Sequence, residues 1–110
     1  MPIATRVLTL RRAEADVEIP IRVFAPEPEP RDWSCRFEIG WPEGTFTMAV
    51  FGVDAAQALE LALRMIGAHI YASEHHASGK LMWLEPGDGY GFPVTSGIRG
   101  LLIGNDKKFF

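Results

Sequence analysis

Glu74-His75-His76, with His69 shortly before, is the one clustering of metal-type ligands in this chain. Such a set could hold zinc, or serve a small hydrolase as a proton acceptor, and either use needs several of these side chains on one face. The spacing does not supply that. Neighbours in a strand point to opposite faces, and neither His75 nor His76 follows the four-residue interval that brings two imidazoles together on a helix. His69 shares a helical face best with Ser73. The expectation is therefore a solvated helix exit, its histidines near the negative end of the helix dipole, with no metal site.

Cys35 paired with a histidine would be a thiol nucleophile if it stood in an open, electropositive setting. It lies instead in an alternating run with Trp33, Phe37 and Ile39, which predicts a buried, unreactive thiol. Gly87-Asp88-Gly89-Tyr90-Gly91 has the look of a phosphate-cradling loop but lacks the Gly-Lys-Ser/Thr ending and a following helix, so it reads as turn chemistry. Arg6, Arg11, Arg12, Arg22 and Arg36 are expected on an outer sheet face, where single strands of nucleic acid stack if aromatics accompany the charge. Phe24 is the one aromatic in register with Arg22, and pairing of the arginines with Glu18 and Glu38 across strands explains the face more simply. No residue is assigned a catalytic, cofactor-binding or metal-ligating role.

The elements that position these groups are organised around Gly52 to Ala72. Asp54 is an N-cap, Gln57 completes a capping box, and apolar residues from Ala55 to Ile70 cover an arc of roughly 200° at about 100° per residue. A sheet face needs little more than half of that. Leu61 and Met65 lie near one margin of the arc and Leu63 near the other, so a second cover is expected: the C-terminal Ile98, Leu101 and Leu102, or another copy of the chain.

Strands are predicted over 3–12, 17–23, 33–41, 45–51 and 80–84 from alternation and β-branched or aromatic content. Pro20 removes a ladder donor from the second, which predicts an unpaired side or a bulge there. Pro26-Glu27-Pro28-Glu29-Pro30 predicts a solvated extended loop, poor as strand. The fourth strand reads as apolar on both faces. Ser73 to Gly79 is a polar exit loop, Ser96 caps a short C-terminal helix that Gly104 ends, and residues 105–110 form a frayed tail. The fold class is α+β: an antiparallel sheet of about five strands in β-β-β-β-α-β order, one long helix across one face and a short C-terminal helix. Chain direction puts the fifth strand on the free edge of the first.

The segments Trp33-Ser34-Cys35-Arg36-Phe37-Glu38-Ile39-Gly40, Gly52 to Leu63, and Leu81-Met82-Trp83 with Gly91-Phe92-Pro93 resemble a family of small bacterial proteins defined only as a domain of unknown function. The resemblance covers most of the chain. It implies a bacterial cytosolic single domain and supplies no catalytic residue, because its motifs are core and capping residues.

Composition agrees with one domain over residues 1–110: 47% of the residues are hydrophobic and 23% charged, ordinary globular values. A net charge of −3 argues against a general electrostatic grip on nucleic acid or an anionic membrane. A lone cysteine and the lack of a long apolar run predict a cytoplasmic protein. The surplus in this sequence is apolar surface and not reactive groups, so the expected function is a non-enzymatic interaction module, protein-binding or self-associating, with Leu61, Met65, Ile98, Leu101 and Leu102 as its surface. The alternatives are a small hydrolase using Glu74-His75-His76 and a weak nucleic-acid binder using the arginine face. No cofactor is expected.

Overall fold

The computed structural model describes residues 1–110, the Ser96 side chain excepted. In chain order the elements are β1 (Pro2–Leu10), β2 (Val17–Phe24), β3 (Glu27–Pro28), β4 (Trp33–Trp41), β5 (Gly44–Gly52), α1 (Ala55–Ala72), α2 (Glu74–Ala77), β6 (Leu81–Met82), a 3-10 helix (Ser96–Leu101) and α3 (Asp106–Phe109). All strand pairs are antiparallel, in the order β6-β1-β2-β4-β5, with β3 beside the start of β4. This is the α+β architecture that the alternation predicts, with the last strand on the free edge of the first.

Period two decides what is buried. Leu8 and Leu10 of β1, Ile19, Ile21 and Val23 of β2, and Cys35, Phe37 and Ile39 of β4 share one face and are all buried. The other face is bare. The shortest extent of the molecule is 19 Å, room for the sheet and a single layer over it. α1 packs on β4 and β5 through Ala58, Ala62, Ile66 and Ile70. The β1–β2 half of the same face is closed by coil: Tyr90, Phe92, Val94 and Leu102 are buried there with the sheet residues.

Local chemistry sets the boundaries. Asp54 Oδ1 accepts from the Gln57 N–H at 2.8 Å, and Gln57 Oε1 accepts from the Val53 N–H at 2.7 Å, one residue before the cap that a capping box would serve. A side chain at Gly52 would meet the Ala58 N–H at 2.5 Å, so the turn from β5 into α1 needs glycine. Ser73 ends α1 and starts α2 with one hydroxyl, donating to the Ile70 carbonyl and accepting from the His76 N–H. No helix is long and apolar enough to cross a membrane.

Several expectations are corrected. The Pro-Glu run is not all solvated loop, because Glu27 and Pro28 pair with Ser34 and Trp33 as β3. Proline is tolerated there since β3 is an edge piece with one neighbour. β6 is two residues long rather than five: Leu84 takes a positive φ of 53° and breaks the extended chain. The exit loop contains α2. The C-terminal helix is 3-10, stops before Leu102, and has Thr95 at its cap position; the Ser96 side chain, on which the capping expectation falls, lies outside the described residues. The outer residues of β5 (Thr45, Thr47, Ala49 and Phe51) are exposed, so that strand has one covered face, and the apolar Ala49 and Phe51 lie on the open one. Residues 105–110 do not simply fray, for α3 forms there and Asp106 is buried.

Candidate functional site

Helix geometry sends the three histidines to three different neighbourhoods. His69 packs on Phe46, ring centroids 4.4 Å apart. His75 pairs with the exposed Glu43 at 2.9 Å and stacks on Trp41, and its hydrogen bond holds the Glu43 carboxyl below the usual carboxylate range. His76 turns inward, its Nδ1 against the Tyr90 hydroxyl. The Ser73 and Ser78 hydroxyls donate to the Ile70 and His75 carbonyls. Glu74-His75-His76 is thus not a convergent site, and among the described residues no three His, Cys, Asp or Glu side chains stand together as metal ligands.

A denser polar constellation sits where the sequence predicts only turn and tail. The Asp106 carboxylate accepts from the Tyr71 hydroxyl at 2.6 Å, from the Tyr90 N–H at 2.9 Å and from the Gly91 N–H at 2.9 Å. Gly89 and Gly91 adopt positive φ, and a side chain at Gly89 would collide with the carboxylate, so glycine lets this backbone wrap an anion. The loop that resembles a phosphate cradle is therefore filled by the chain's own carboxylate. Arg6 lies beneath, donating to the Tyr90 and Gly91 carbonyls and stacked on Trp83 at 4.0 Å and Phe92 at 4.7 Å. Burial lowers the Arg6 pKa, and the Asp106 charge opposes that shift.

Tyrosine, aspartate and histidine at these distances are also the components of acid–base sites. Here burial first, and then the Asp106 charge, pushes the Tyr90 hydroxyl up to about 12, while burial lowers His76. The Tyr90 hydroxyl and His76 Nδ1 share a hydrogen bond. Burial, and then the bond to Asp106, also raises Tyr71. Asp106 is 2% and Tyr71 6% exposed, and Asp106 borders a largely apolar cavity with Trp83, Leu84, Phe109 and Phe110. The network is a clasp between α1, the glycine loop and the C-terminal segment. Sequence reasoning missed it, because the N–H donors of Tyr90 and Gly91 meet an acceptor 16 and 15 residues further along the chain.

The arginine face is broken up as well. Arg6 points to the opposite, core side of the sheet from Arg22 and Arg36, because it stands opposite Ile21 in the β1–β2 register. Arg22 sits opposite Glu38, and Arg36 covers Phe24 at 4.1 Å, which removes that ring as a stacking platform. Cys35 is fully buried, its thiol donates to the Phe24 carbonyl, and burial raises its pKa, so it has none of the features of an activated nucleophile.

One accessible feature is an edge of the sheet. β5 pairs with β4 along its whole length, and among the described residues nothing pairs with its other side. Its nine residues, Gly44-Thr45-Phe46-Thr47-Met48-Ala49-Val50-Phe51-Gly52, include no charge and no proline. Unpaired edges of this kind are templates for another strand, and sheets ordinarily blunt them. The opposite edge is blunted: β6 covers Thr9 and Leu10 of β1, and the rest of β1 carries Pro2, a register shift between Pro2 and Ala4, and Arg6. Above β5 runs the helix stripe Leu61–Met65–His69, spaced four residues apart, with His69 fixing it over Phe46. Leu61 is 37% exposed and Met65 half-buried.

The five residues expected to form one apolar surface are therefore divided. Leu102 is buried, on the side where the Ile103 N–H meets the Tyr71 hydroxyl, while Ile98 is half-buried and Leu101 exposed. Gly67, against which Pro93 and Val94 pack, stands roughly 120–160° around the helix from Leu61 and Met65. The coil covers one margin of the helix, and the margin over β5 is left to Leu61 and Met65.

The sequence model of a family described as "Domain of unknown function (DUF6968)" matches residues 4–94, most of the chain but not the segment that carries Asp106. No curated protein and no solved structure matches the chain.

Proposed function

We propose, for a chain that belongs to the DUF6968 family, a non-enzymatic role as a bacterial cytoplasmic interaction module that docks a protein strand on the open edge of β5. The observation that carries this reading is the nine-residue edge itself, uncharged, free of proline and unpaired, beside the apolar margin of Leu61 and Met65. Strand addition takes its affinity from main-chain hydrogen bonds, and β5 offers an unpaired row of them. The buried thiol and the closed Asp106 clasp leave the polar groups of the interior to hold the fold together.

The test is selection from a displayed library of random peptides followed by mapping of the bound peptide. Selected peptides should shift the amide resonances of β5 and lose binding to Ala49→Pro, which removes an edge donor. Peptides that map to the arginine face or to the His75 loop, or a monomeric chain for which the library yields none, would refute the reading.

A further inference from the structure

We infer that the occupant of the β5 edge is a second copy of this chain, paired antiparallel through β5 about a two-fold axis at Met48. The inference rests on the docking-edge reading above and adds the partner and the register.

Three observations carry it. The first is backbone parity. β4 and β5 join through the turn at Pro42 and Glu43, with Trp41 opposite Gly44. In an antiparallel ladder hydrogen-bonded and non-hydrogen-bonded pairs alternate, so a two-residue turn closed by Trp41 and Gly44 directs Gly44, Phe46, Met48, Val50 and Gly52 toward β4. The N–H and C=O of Thr45, Thr47, Ala49 and Phe51 then face outward. These four residues are symmetric about Met48. A two-fold axis there sets Thr45 opposite Phe51 and Thr47 opposite Ala49 of the other copy, and engages every outward group in about eight ladder bonds.

Charge is the second observation. A two-fold axis brings each residue near its own copy, so a charged edge meets like charge. β5 has none along its length. The β1 edge, with Arg6, a proline and a bulge, could not repeat this pairing.

Continuity of apolar surface is the third. Phe46, Met48 and Val50, on the helix side of β5, are only partly buried because nothing lies beyond the edge. Leu61 and Met65 border the same margin. Pairing two β5 strands brings the Leu61–Met65 stripes of both copies together over the joined sheet, which supplies the second cover that the width of the apolar arc requires.

The experiment combines sedimentation of the full chain over a wide concentration range with cross-linking. The wild type should sediment as a dimer that dissociates on dilution, and Ala49→Pro, shown by circular dichroism to be folded, should be a monomer throughout. Met48→Cys should form an intermolecular disulfide under mild oxidation, since non-hydrogen-bonded pairs stand about 4.5 Å apart between Cα atoms. Thr5→Cys, on the other edge, should not, and the buried Cys35 stays out of the reaction. A dimer that survives Ala49→Pro, or one lost in that variant yet not cross-linked through position 48, overturns the inference. A monomeric wild type that still binds library-selected peptides at β5 overturns the second copy alone; a monomer that binds none overturns the docking edge as well.

Discussion

Asp106 ties together three segments that sequence separates widely, with Tyr71 35 residues away and Tyr90 16. Replacing it with alanine leaves a buried hydroxyl and two backbone N–H groups without their acceptor, and hydrogen bonds to a charged group contribute about 1.5–3 kcal/mol each. Water entering the opened site offsets part of that loss. Asp106→Ala is expected to lower unfolding free energy by about 2–4 kcal/mol, read from urea midpoints, and Asp106→Asn by less because one acceptor oxygen remains. His69 and His76 contribute to the acid sensitivity of the fold. Burial lowers both below the ordinary 6.5, so as pH falls through that value the unfolded chain binds protons that the folded one refuses. Stability should be level near neutrality and decline as pH drops from about 6.5 toward the folded values; a melting series of His69→Gln/His76→Gln should show a shallower decline. None of this polar site can be read from local sequence, because an anion and its cradle come together only on folding.

At the scale of elements, Gly67 decides the relation between α1 and the coil. In an isolated helix Gly→Ala is stabilising by about 1 kcal/mol. Here the added methyl would stand 2.1 Å from the Pro93 carbonyl oxygen and 3.0 Å from Val94 Cγ1. Backbone cannot yield cheaply at that distance, and overpacking typically costs about 1–3 kcal/mol, so Gly67→Ala should destabilise despite the gain in propensity. A urea midpoint at or above that of the wild type would show that the coil does not press on the helix. A different element pair, β2 and β4, explains Pro20. β2 pairs with β4 only from Ile21 to Val23; the ladder stops where proline lacks its N–H, and the ring packs over Gly40, where a side chain would stand 2.9 Å from Pro20 Cγ. Proline marked the interruption in the sequence; the matching glycine acquired its meaning only from the register.

The whole molecule is one sheet with one covered face, and its cover comes in two parts. α1 closes β4 and β5, whereas coil from Tyr90 to Val94, locked by Leu102 and Asp106, closes β1 and β2. Removing residues 95–110 takes away the Asp106 clasp and exposes apolar surface that Leu102 covers. The truncated chain should melt well below the full one at every concentration, with tryptophan emission shifted red as Trp83 loses its surroundings. Self-association has a different signature, since a dimer makes the melting temperature of the full chain rise with concentration. An unchanged melting temperature after truncation would show that the coil is not part of the cover.

Alternation and capping, both local, determined most of this fold. Trp33 to Trp41 and Val17 to Val23 could pair with one face only, and Asp54 with Gln57 could start a helix at one place. The width of the apolar arc on α1 likewise required more cover than a sheet. Tertiary structure decided which flank receives it. The coil settles against Gly67 because a helix residue without a side chain admits a backbone there, and this leaves Leu61 and Met65 beside β5. The histidines, close in sequence, diverge because a helix turns about 100° per residue and α2 redirects the chain. Whether a glycine loop holds an external anion or an internal carboxylate, and whether an uncharged strand lies inside a sheet or at its edge, depends on contacts made across long separations, which local patterns do not encode.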